Sequence, residues 1–328
     1  MKVAAIQAEP AWWDLKAGVL KTISLIKEAA ANGAELIGFP ESFIPGYPMS
    51  IWAQPFDPVF LTKFQKNCMS VQSAEFKEIV NATKEAGIWV VLGFTELDGG
   101  SMYAAQTIIS SEGVVVLHRR KLKATGQERT IWGDAPADSL QSAVKGPSGA
   151  TIGALNCWEH LQPLLRYHHY SLGIQIHVAS WPYCDSIADG AAPQFSSDAQ
   201  ILQARFAALE GQMFVISSTQ MLSSKNAELC HVKDVPFFEM ARGGGFAAIY
   251  GPDGTQLTPP TDPGKEVILY AEIDLDAIKT AKLSADPVGH YSRPDLLSLR
   301  VATHPTPIVS HDAPNGKRDY TLLGRFHQ

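Results

Sequence analysis

The chain has 328 residues, of which 45% are hydrophobic, so it is long enough to bury a large core in one or two domains. Its formal net charge of -6 argues against nucleic acid or an anionic membrane as the main partner. The four cysteines lie far apart without close-spaced metal-ligand pairs, which favours a reduced, cytoplasmic chain over a disulfide scaffold. We expect neither a signal peptide nor a membrane span, since the N-terminus is typical of a first strand and no apolar run is long enough.

Segments typical of strands and of helices alternate along the chain. Strands are predicted over residues 3–8, 35–39, 88–94, 102–110, 114–119, 151–156, 175–179, 213–218, 246–250 and 267–273. Helices are predicted over residues 17–31, 76–86, 161–171 and 197–209. This alternation predicts an α/β layered fold with buried sheets, but it does not by itself specify a sandwich. No Gly/Ser linker interrupts the pattern, so we expect one catalytic domain over residues 1–300 and an extended tail over residues 301–328.

Cys157 stands where a predicted strand ends and a predicted helix is about to begin. A thiol at such a turn would lie near free backbone N–H groups and the positive end of a helix dipole. Both favour the thiolate and can stabilise an oxyanion, so Cys157 is a candidate nucleophile. An inert buried cysteine, packed as a small hydrophobic side chain, is the alternative interpretation of this segment.

Two other segments carry charged residues at predicted strand ends. Glu41 follows a hydrophobic strand and lies between Phe39 and Phe43, whose rings would desolvate the carboxyl, raise its pKa and make it a usable general base. A surface carboxylate at a loop entrance is the alternative. Residues 118–129 form a basic cluster after an apolar run, which is typical of a solvated strand end and only weakly indicates anion binding.

Together these segments resemble the nitrilase branch of the nitrilase, or carbon–nitrogen hydrolase, superfamily. The matching stretches are Phe39-Pro40-Glu41, Ile44-Pro45-Gly46-Tyr47-Pro48, His118-Arg119-Arg120-Lys121-Leu122-Lys123 and Leu155-Asn156-Cys157-Trp158-Glu159-His160. Further agreement extends the resemblance from Lys2 to the neighbourhood of Leu299. It implies a four-layer α-β-β-α sandwich, in which helices cover two stacked sheets.

The resemblance also implies roles for individual residues. Glu41 would be the general base, Lys121 the cation that stabilises anionic intermediates, and Cys157 the nucleophile. Glu128 would orient Lys121. Lys123 is the alternative candidate for the lysine of the triad, because alternate residues of an extended chain point to the same face.

Three aromatic residues near the matching stretches, Tyr47, Trp158 and Trp181, are expected to line the substrate pocket. His177 and Cys184 are further candidates for that lining. Ordinary core packing is the alternative for each of them. The adjacent pair His168-His169 is expected on a partly exposed helix face, because neighbouring helical residues diverge by about 100° and cannot readily share a metal ion.

The implied reaction is hydrolysis of an organic nitrile to a carboxylic acid and ammonia, through a thioimidate and then a thioester on the cysteine. It needs no cofactor and no metal. The resemblance also implies a small-molecule nitrile as the substrate, no nucleic-acid or membrane partner, and homodimers that assemble further into larger oligomers or filaments.

Several alternatives remain open from the sequence. A cyanide hydratase or dihydratase, or an aliphatic amidase, would use the same triad on a related substrate. A non-catalytic, filament-forming scaffold is the alternative of another class, and the joint presence of Glu41, Lys121, Glu128 and Cys157 argues against it. A metal-dependent hydrolase is disfavoured because metal-ligand residues are not clustered along the sequence.

Overall fold

The structure is a computed structural model that describes residues 1–235 and 243–302, together with the backbone of two short strands, β12 (His311–Asp312) and β13 (Arg318–Asp319). The predicted tail over residues 301–328 therefore lies largely outside the described residues, and its boundary and its role in assembly stay predictions.

Eleven further strands belong to one sheet. They are β1 (Lys2–Ala8), β2 (Leu36–Gly38), β3 (Trp89–Asp98), β4 (Ser101–Ile109), β5 (Val115–Arg120), β6 (Ala143–Lys145), β7 (Thr151–Asn156), β8 (Ile176–Trp181), β9 (Phe214–Gln220), β10 (Ala248–Tyr250) and β11 (Val267–Glu272). Each predicted strand is present, with ends that differ by a few residues. The short edge strand β6 was not predicted, because three residues are too few to show a period-two pattern.

Six α-helices connect or cover these strands in the described part of the chain. They are α1 (Leu15–Ala31), α2 (Pro58–Lys66), α3 (Ala74–Ala86), α4 (Pro163–Ser171), α5 (Ser197–Gly211) and α6 (Asp276–Ser284). Asp14 and Ser73 cap the first turns of α1 and α3 with their side-chain oxygens, and Gly87 ends α3 in the left-handed conformation. Helices α2 and α6 were not predicted. None of the described helices is both long and apolar enough to cross a membrane.

The sheet consists of two halves that meet at one edge. The strand order is β5-β4-β3-β2-β1-β9-β8-β7-β6, with β11 paired to β1 and β10 paired to β9. Among the described strands, the halves pair only where the end of β1 runs parallel to the end of β9, at Gln7–Thr219 and Ala8–Gln220. We call β1 to β5 with β11 the first half-sheet, and β6 to β10 the second.

Side chains from both half-sheets share one core, which gives the fold its layers. Val3 and Leu36 of the first half-sheet lie in the same buried cluster as Ile152 and Ile176 of the second. A second cluster joins the other face of the first half-sheet to α1 and α3, and a third joins the second half-sheet to α4 and α5. The order helix, sheet, sheet, helix is the predicted four-layer α-β-β-α sandwich.

Strand direction brings three chain segments to one end of this sandwich. Strands β1, β2, β7, β8 and β9 all run parallel, and β5 shares their direction because it is separated from β3 by one antiparallel strand. Glu41, Lys121 and Cys157 follow the carboxyl ends of β2, β5 and β7. The carboxyl ends of parallel strands are the usual edge for a binding site in α/β folds, so these residues are positioned to meet there.

Candidate active site

Glu41 lies in a tight turn after β2 that neighbouring strands hold from both sides. The side chain of Gln220, at the end of β9, donates hydrogen bonds to the backbone oxygens of Glu41 and Ser42. On the other side, a Cβ atom at Gly93 of β3 would lie 2.2 Å from the Pro40 oxygen, so only glycine permits this approach. The carboxyl group of Glu41 is thereby fixed in a fully buried position.

Lys121 lies between two carboxylates. Its Nζ donates to Glu41 Oε1 at 2.9 Å and to Glu128 Oε2 at 2.8 Å, and all three side chains are at most 2% exposed. Glu128 also accepts from the backbone N–H of Thr125 in a capping box, and its other oxygen accepts from the hydroxyl of Tyr47 at 2.8 Å. Glu128 is therefore anchored at both oxygens and fixes the position of the ammonium group.

Cys157 follows β7 directly and begins a single 3₁₀ turn, Cys157–Leu161, that leads into α4. Its φ of 44° lies in the left-handed region, which a non-glycine residue rarely adopts and which concentrates at functional sites. The sulfur lies within 4.8 Å of a carboxylate oxygen of Glu41 and of one of Glu128, and these two oxygens also lie within 4.8 Å of each other. The structure thus brings Glu41, Lys121, Glu128 and Cys157 together.

Burial and charge set the protonation of this cluster. Burial raises the pKa of Glu41 to about 8, against the opposing effect of the Lys121 charge, which bears out the predicted increase. The pKa of Lys121 stays well above its ordinary value, because the charges of Glu128 and Glu41 outweigh the effect of burial. A carboxyl with a pKa near 8 is well matched to accepting a proton around neutral pH.

The expectation of a favoured thiolate at Cys157 is wrong for the protein without substrate. Burial and the Glu41 charge raise the thiol pKa well above its ordinary value, and Lys121 only partly offsets them. A 3₁₀ turn also separates Cys157 in sequence from α4, which begins only at Pro163. Cys157 therefore rests as a thiol and needs a base when it attacks.

A buried ion pair that sequence reasoning missed ties the lysine segment to the cysteine turn. Arg119 makes two hydrogen bonds to Glu159, at 2.8 and 2.6 Å, and neither side chain is exposed. The same carboxylate accepts from the backbone N–H groups of Leu122 at 2.9 Å and Asn156 at 2.8 Å. Although burial alone would raise the pKa of Glu159, the Arg119 charge lowers it. The spacing of Asn156 and Glu159 is that of a capping box, and this pattern could have identified the hydrogen bond from the Asn156 backbone to Glu159.

A narrow cavity of about 30 Å³ opens over Cys157. Its lining includes two of the three predicted pocket residues, Tyr47 and Trp158, and also Cys184. Three aromatic residues that were not singled out from the sequence, Trp52, Tyr183 and Phe195, also line it. The Phe195 ring stacks on Trp158 with centroids 5.2 Å apart and contacts the edge of Trp52 at 5.4 Å. The accessible space is therefore small and aromatic.

Other predicted residues lie elsewhere. Trp181 is not among the residues that line this cavity; it is fully buried, and its ring stacks on His160. Lys123 does not share a face with Lys121, because β5 ends at Arg120 and the chain bends; its half-exposed side chain pairs with Asp134. The expectation of an exposed face for His168-His169 is wrong for His169, which is fully buried.

The donor atoms of Glu41, Glu128 and Cys157 are close enough together for a metal ion. The Lys121 ammonium group already lies between the two carboxylates and hydrogen bonds to both. A metal ion would have to displace the ammonium group or bind directly beside its positive charge. The residues present therefore fit a lysine-centred cluster and do not fit a metal site.

Comparisons with known proteins identify the family to which the chain belongs. The family model described as carbon-nitrogen hydrolase matches residues 2–283. A nitrilase of Talaromyces marneffei is 47% identical over 92% of this chain and 95% of its own length, and a cyanide hydratase of Armillaria gallica is 48% identical over 92% and 85%. The solved structure of a mutant Nesterenkonia amidase from the nitrilase superfamily matches 87% of this chain and 96% of its own with a TM-score of 0.62 and 15% identity, and so shares the fold. The chain belongs to the carbon–nitrogen hydrolase family, within its nitrilase branch, and is an enzyme that hydrolyses carbon–nitrogen bonds.

Proposed function

We propose that this enzyme hydrolyses an organic nitrile to the carboxylic acid and ammonia, with Cys157 as nucleophile, Glu41 as general base and acid, and Lys121 as the stabilising cation. The observation that carries the proposal is the buried cluster itself. A thiol, a carboxyl with a pKa near 8 and a cation held by two carboxylates meet under a small cavity. These are the groups that an enzyme needs in order to add a nucleophile to an unreactive C≡N bond.

The first half of the reaction forms a covalent bond to sulfur. The Cys157 sulfur attacks the nitrile carbon as its proton passes to Glu41, because the thiol itself is too weak an acid to ionise beforehand. Electron density moves to the nitrogen, where Lys121 and the backbone N–H that follows Cys157 stabilise it. Glu41 then returns the proton to nitrogen, which gives a neutral thioimidate.

The second half removes nitrogen and then sulfur. Water adds to the thioimidate carbon as Glu41 takes one of its protons and passes it to nitrogen. The new hydroxyl then gives its proton to Glu41, which passes it to nitrogen as the C–N bond breaks and ammonia leaves. A thioester remains on Cys157. A second water adds, the C–S bond breaks, and the carboxylic acid leaves as the thiol regains its proton. Glu128 keeps Lys121 in place throughout, through its contacts with Thr125 and Tyr47.

Cyanide hydration is the second candidate, because the cavity is small. Large aromatic side chains line the cavity, which suits a two-atom substrate better than an aromatic nitrile. The 48% identity to a cyanide hydratase supports the same possibility. With cyanide, departure of sulfur from the tetrahedral intermediate before nitrogen leaves would give formamide and no ammonia.

Product analysis separates these candidates. The purified enzyme is incubated with aliphatic, aromatic and arylacetic nitriles, with cyanide and with matching amides, and ammonia, acid and amide are quantified beside a Cys157→Ala control. Acid and ammonia from organic nitriles, lost in the control, are the result we expect. Formamide from cyanide as the principal product would favour the hydratase, and turnover of amides alone would favour an amidase. Folded protein that acts on none of them would contradict the proposal.

The outer face of α5 supports a separate proposal, that the protein self-associates. Leu202, Phe206 and Leu209 are 67%, 45% and 53% exposed, whereas Ala204 and Ala208 of the same helix are buried against the sheet. An apolar outer face on a helix indicates a second layer of packing. We propose a homodimer through this face, and we expect Leu202→Glu to convert the dimer to a monomer in size-exclusion chromatography with light scattering. An unchanged mass would contradict it.

We also propose that the protein is located in the cytoplasm. All four cysteines are buried and free of disulfides, with two of them, Cys157 and Cys184, lining the cavity over the site. A reducing environment such as the cytoplasm preserves a nucleophilic thiol, which supports a cytoplasmic location.

A further inference from the structure

Three buried histidines form a continuous hydrogen-bonded chain that ends at the backbone of Cys157. His160 Nδ1 lies 2.6 Å from the carbonyl oxygen of Cys157, and His160 Nε2 lies 2.8 Å from His177 Nε2. His177 Nδ1 lies 2.8 Å from His169 Nε2, and His169 Nδ1 lies 2.7 Å from the hydroxyl of Ser142. All four side chains are at most 1% exposed.

With neutral imidazoles, this chain of contacts permits one arrangement of protons. A carbonyl oxygen can only accept, so His160 must donate from Nδ1, and as a neutral ring it accepts at Nε2. His177 must then donate from Nε2 and accept at Nδ1, and His169 must do the same. The hydroxyl of Ser142 supplies the first donor. Burial lowers the pKa of all three imidazoles, and with each ring neutral this arrangement satisfies every ring nitrogen.

The surrounding residues hold the rings in this arrangement. The indole of Trp181 stacks on His160 with centroids 4.7 Å apart, which fixes the plane of that ring. A Cβ atom at Gly153 of β7 would lie 2.7 Å from His169 Cε1, so glycine makes room for the ring. His169 belongs to α4 and His177 to β8, so the network connects two layers of the fold to the turn of Cys157.

From this geometry we infer that His160, His177, His169 and Ser142 are positioning residues, which hold the Cys157 backbone in its left-handed conformation and so direct the thiol toward the substrate. A residue with a φ of 44° is strained, and that conformation persists only where neighbouring contacts enforce it. The hydrogen bond from His160 to the Cys157 carbonyl is such a contact. If it is lost, the peptide at Cys157 is free to rotate and the sulfur moves away from the cluster of Glu41 and Lys121.

The test compares two replacements of His160 that keep different halves of its hydrogen bonding. His160→Asn keeps a donor near the Nδ1 position, facing the Cys157 carbonyl, whereas His160→Gln places its amide near the Nε2 position, facing His177. We expect His160→Gln to lower kcat by about 100-fold with little change in KM, since a misplacement of about 1 Å can cost this much. His160→Asn should restore most of that loss. A purely structural role would instead reduce the folded fraction in both variants and make no distinction between them.

Ser142→Ala, at the far end of the network, removes one hydroxyl and keeps the protein testable if the histidine variants do not fold. It leaves His169 Nδ1 without its donor, and we expect kcat to fall about threefold to tenfold with KM unchanged, a graded effect of imperfect positioning. Equal activity of His160→Asn and His160→Gln would overturn the proposal, as would a wild-type kcat in Ser142→Ala.

Turnover in this test rests on the proposed nitrile hydrolysis, so a second readout is independent of the substrate. The rate of Cys157 alkylation by iodoacetamide, followed by mass spectrometry at equal concentrations of folded protein, reports the presentation of the thiol directly. We expect it to change in His160→Gln and to be near wild type in His160→Asn. Wild-type protein that alkylates normally but releases no product from nitriles would contradict the proposed function alone. An alkylation rate that is the same in all variants would overturn the positioning role.

Discussion

The separate effects of removing Arg119 and of removing Glu159 from their buried ion pair should add up to more destabilisation than removing both residues together. Arg119→Met leaves the Glu159 carboxylate buried without a countercharge, although the backbone N–H groups of Leu122 and Asn156 still donate to it. Breaking a buried pair by losing one partner costs about 3–5 kcal/mol. For a domain of this size, about 2 °C of melting temperature is lost per kcal/mol, which predicts a decrease of about 6–10 °C.

A double-mutant cycle measures this coupling. Melting temperatures of the wild type, Arg119→Met, Glu159→Gln and the double variant are compared at equal protein concentration by calorimetry. We expect the double variant to be more stable than the sum of the single effects by about 2–3 kcal/mol, because no unpaired charge is left in the core. The exposed pair Lys123–Asp134 is the matched control, and its cycle should change stability by less than about 1 kcal/mol. If the destabilisation of the double variant equals the sum of the two single effects to within about 0.5 kcal/mol, Arg119 and Glu159 are not coupled as expected.

Three further outcomes follow from the site. Lys121→Ala should abolish turnover while Lys123→Ala retains it, and the reverse result in an ammonia assay would show that the wrong lysine has been assigned. The value of kcat/KM should rise with pH toward a plateau above about 8, because Glu41, whose pKa is raised to about 8, must lose its proton before it can accept one from the thiol; a flat profile between pH 6 and 8 would contradict this. Phe195→Ala should raise kcat/KM for arylacetic nitriles relative to short aliphatic ones, because it opens the cavity, whereas the control Phe56→Ala at a 72% exposed side chain should not; an unchanged ratio in Phe195→Ala would show that this ring does not limit substrate size.

Much of the fold could be predicted, because the strands are apolar runs with clear ends. The meeting of Glu41, Lys121 and Cys157 follows from their places after three strands that run in the same direction. The raised pKa of Glu41 was also predictable, since the aromatic neighbours Phe39 and Phe43 are adjacent in sequence and both are buried. These properties depend on local sequence and on strand order.

Features that depend on packing between distant segments could not be predicted. Lys121 and Lys123 have the same charge and alternate spacing, and only the bend after β5 separates the buried one from the exposed one. Trp181 and His169 were assigned to the pocket and to an exposed helix face, whereas both belong to the interior behind Cys157. The expectation of a favoured thiolate was wrong because burial and the Glu41 charge raise the thiol pKa more than the Lys121 charge lowers it, a balance that no sequence pattern displays.

Trapping the covalent intermediate tests most directly whether Cys157 is the nucleophile. Enzyme mixed with a slowly hydrolysed nitrile is quenched in acid and digested, and the peptide that contains Cys157 is examined by mass spectrometry beside the Cys157→Ala variant. We expect a mass increase on the Cys157 peptide that matches a thioimidate or thioester of the substrate, and no adduct in the variant. Continued release of product from nitriles by the Cys157→Ala variant, or an adduct on a different residue, would contradict it.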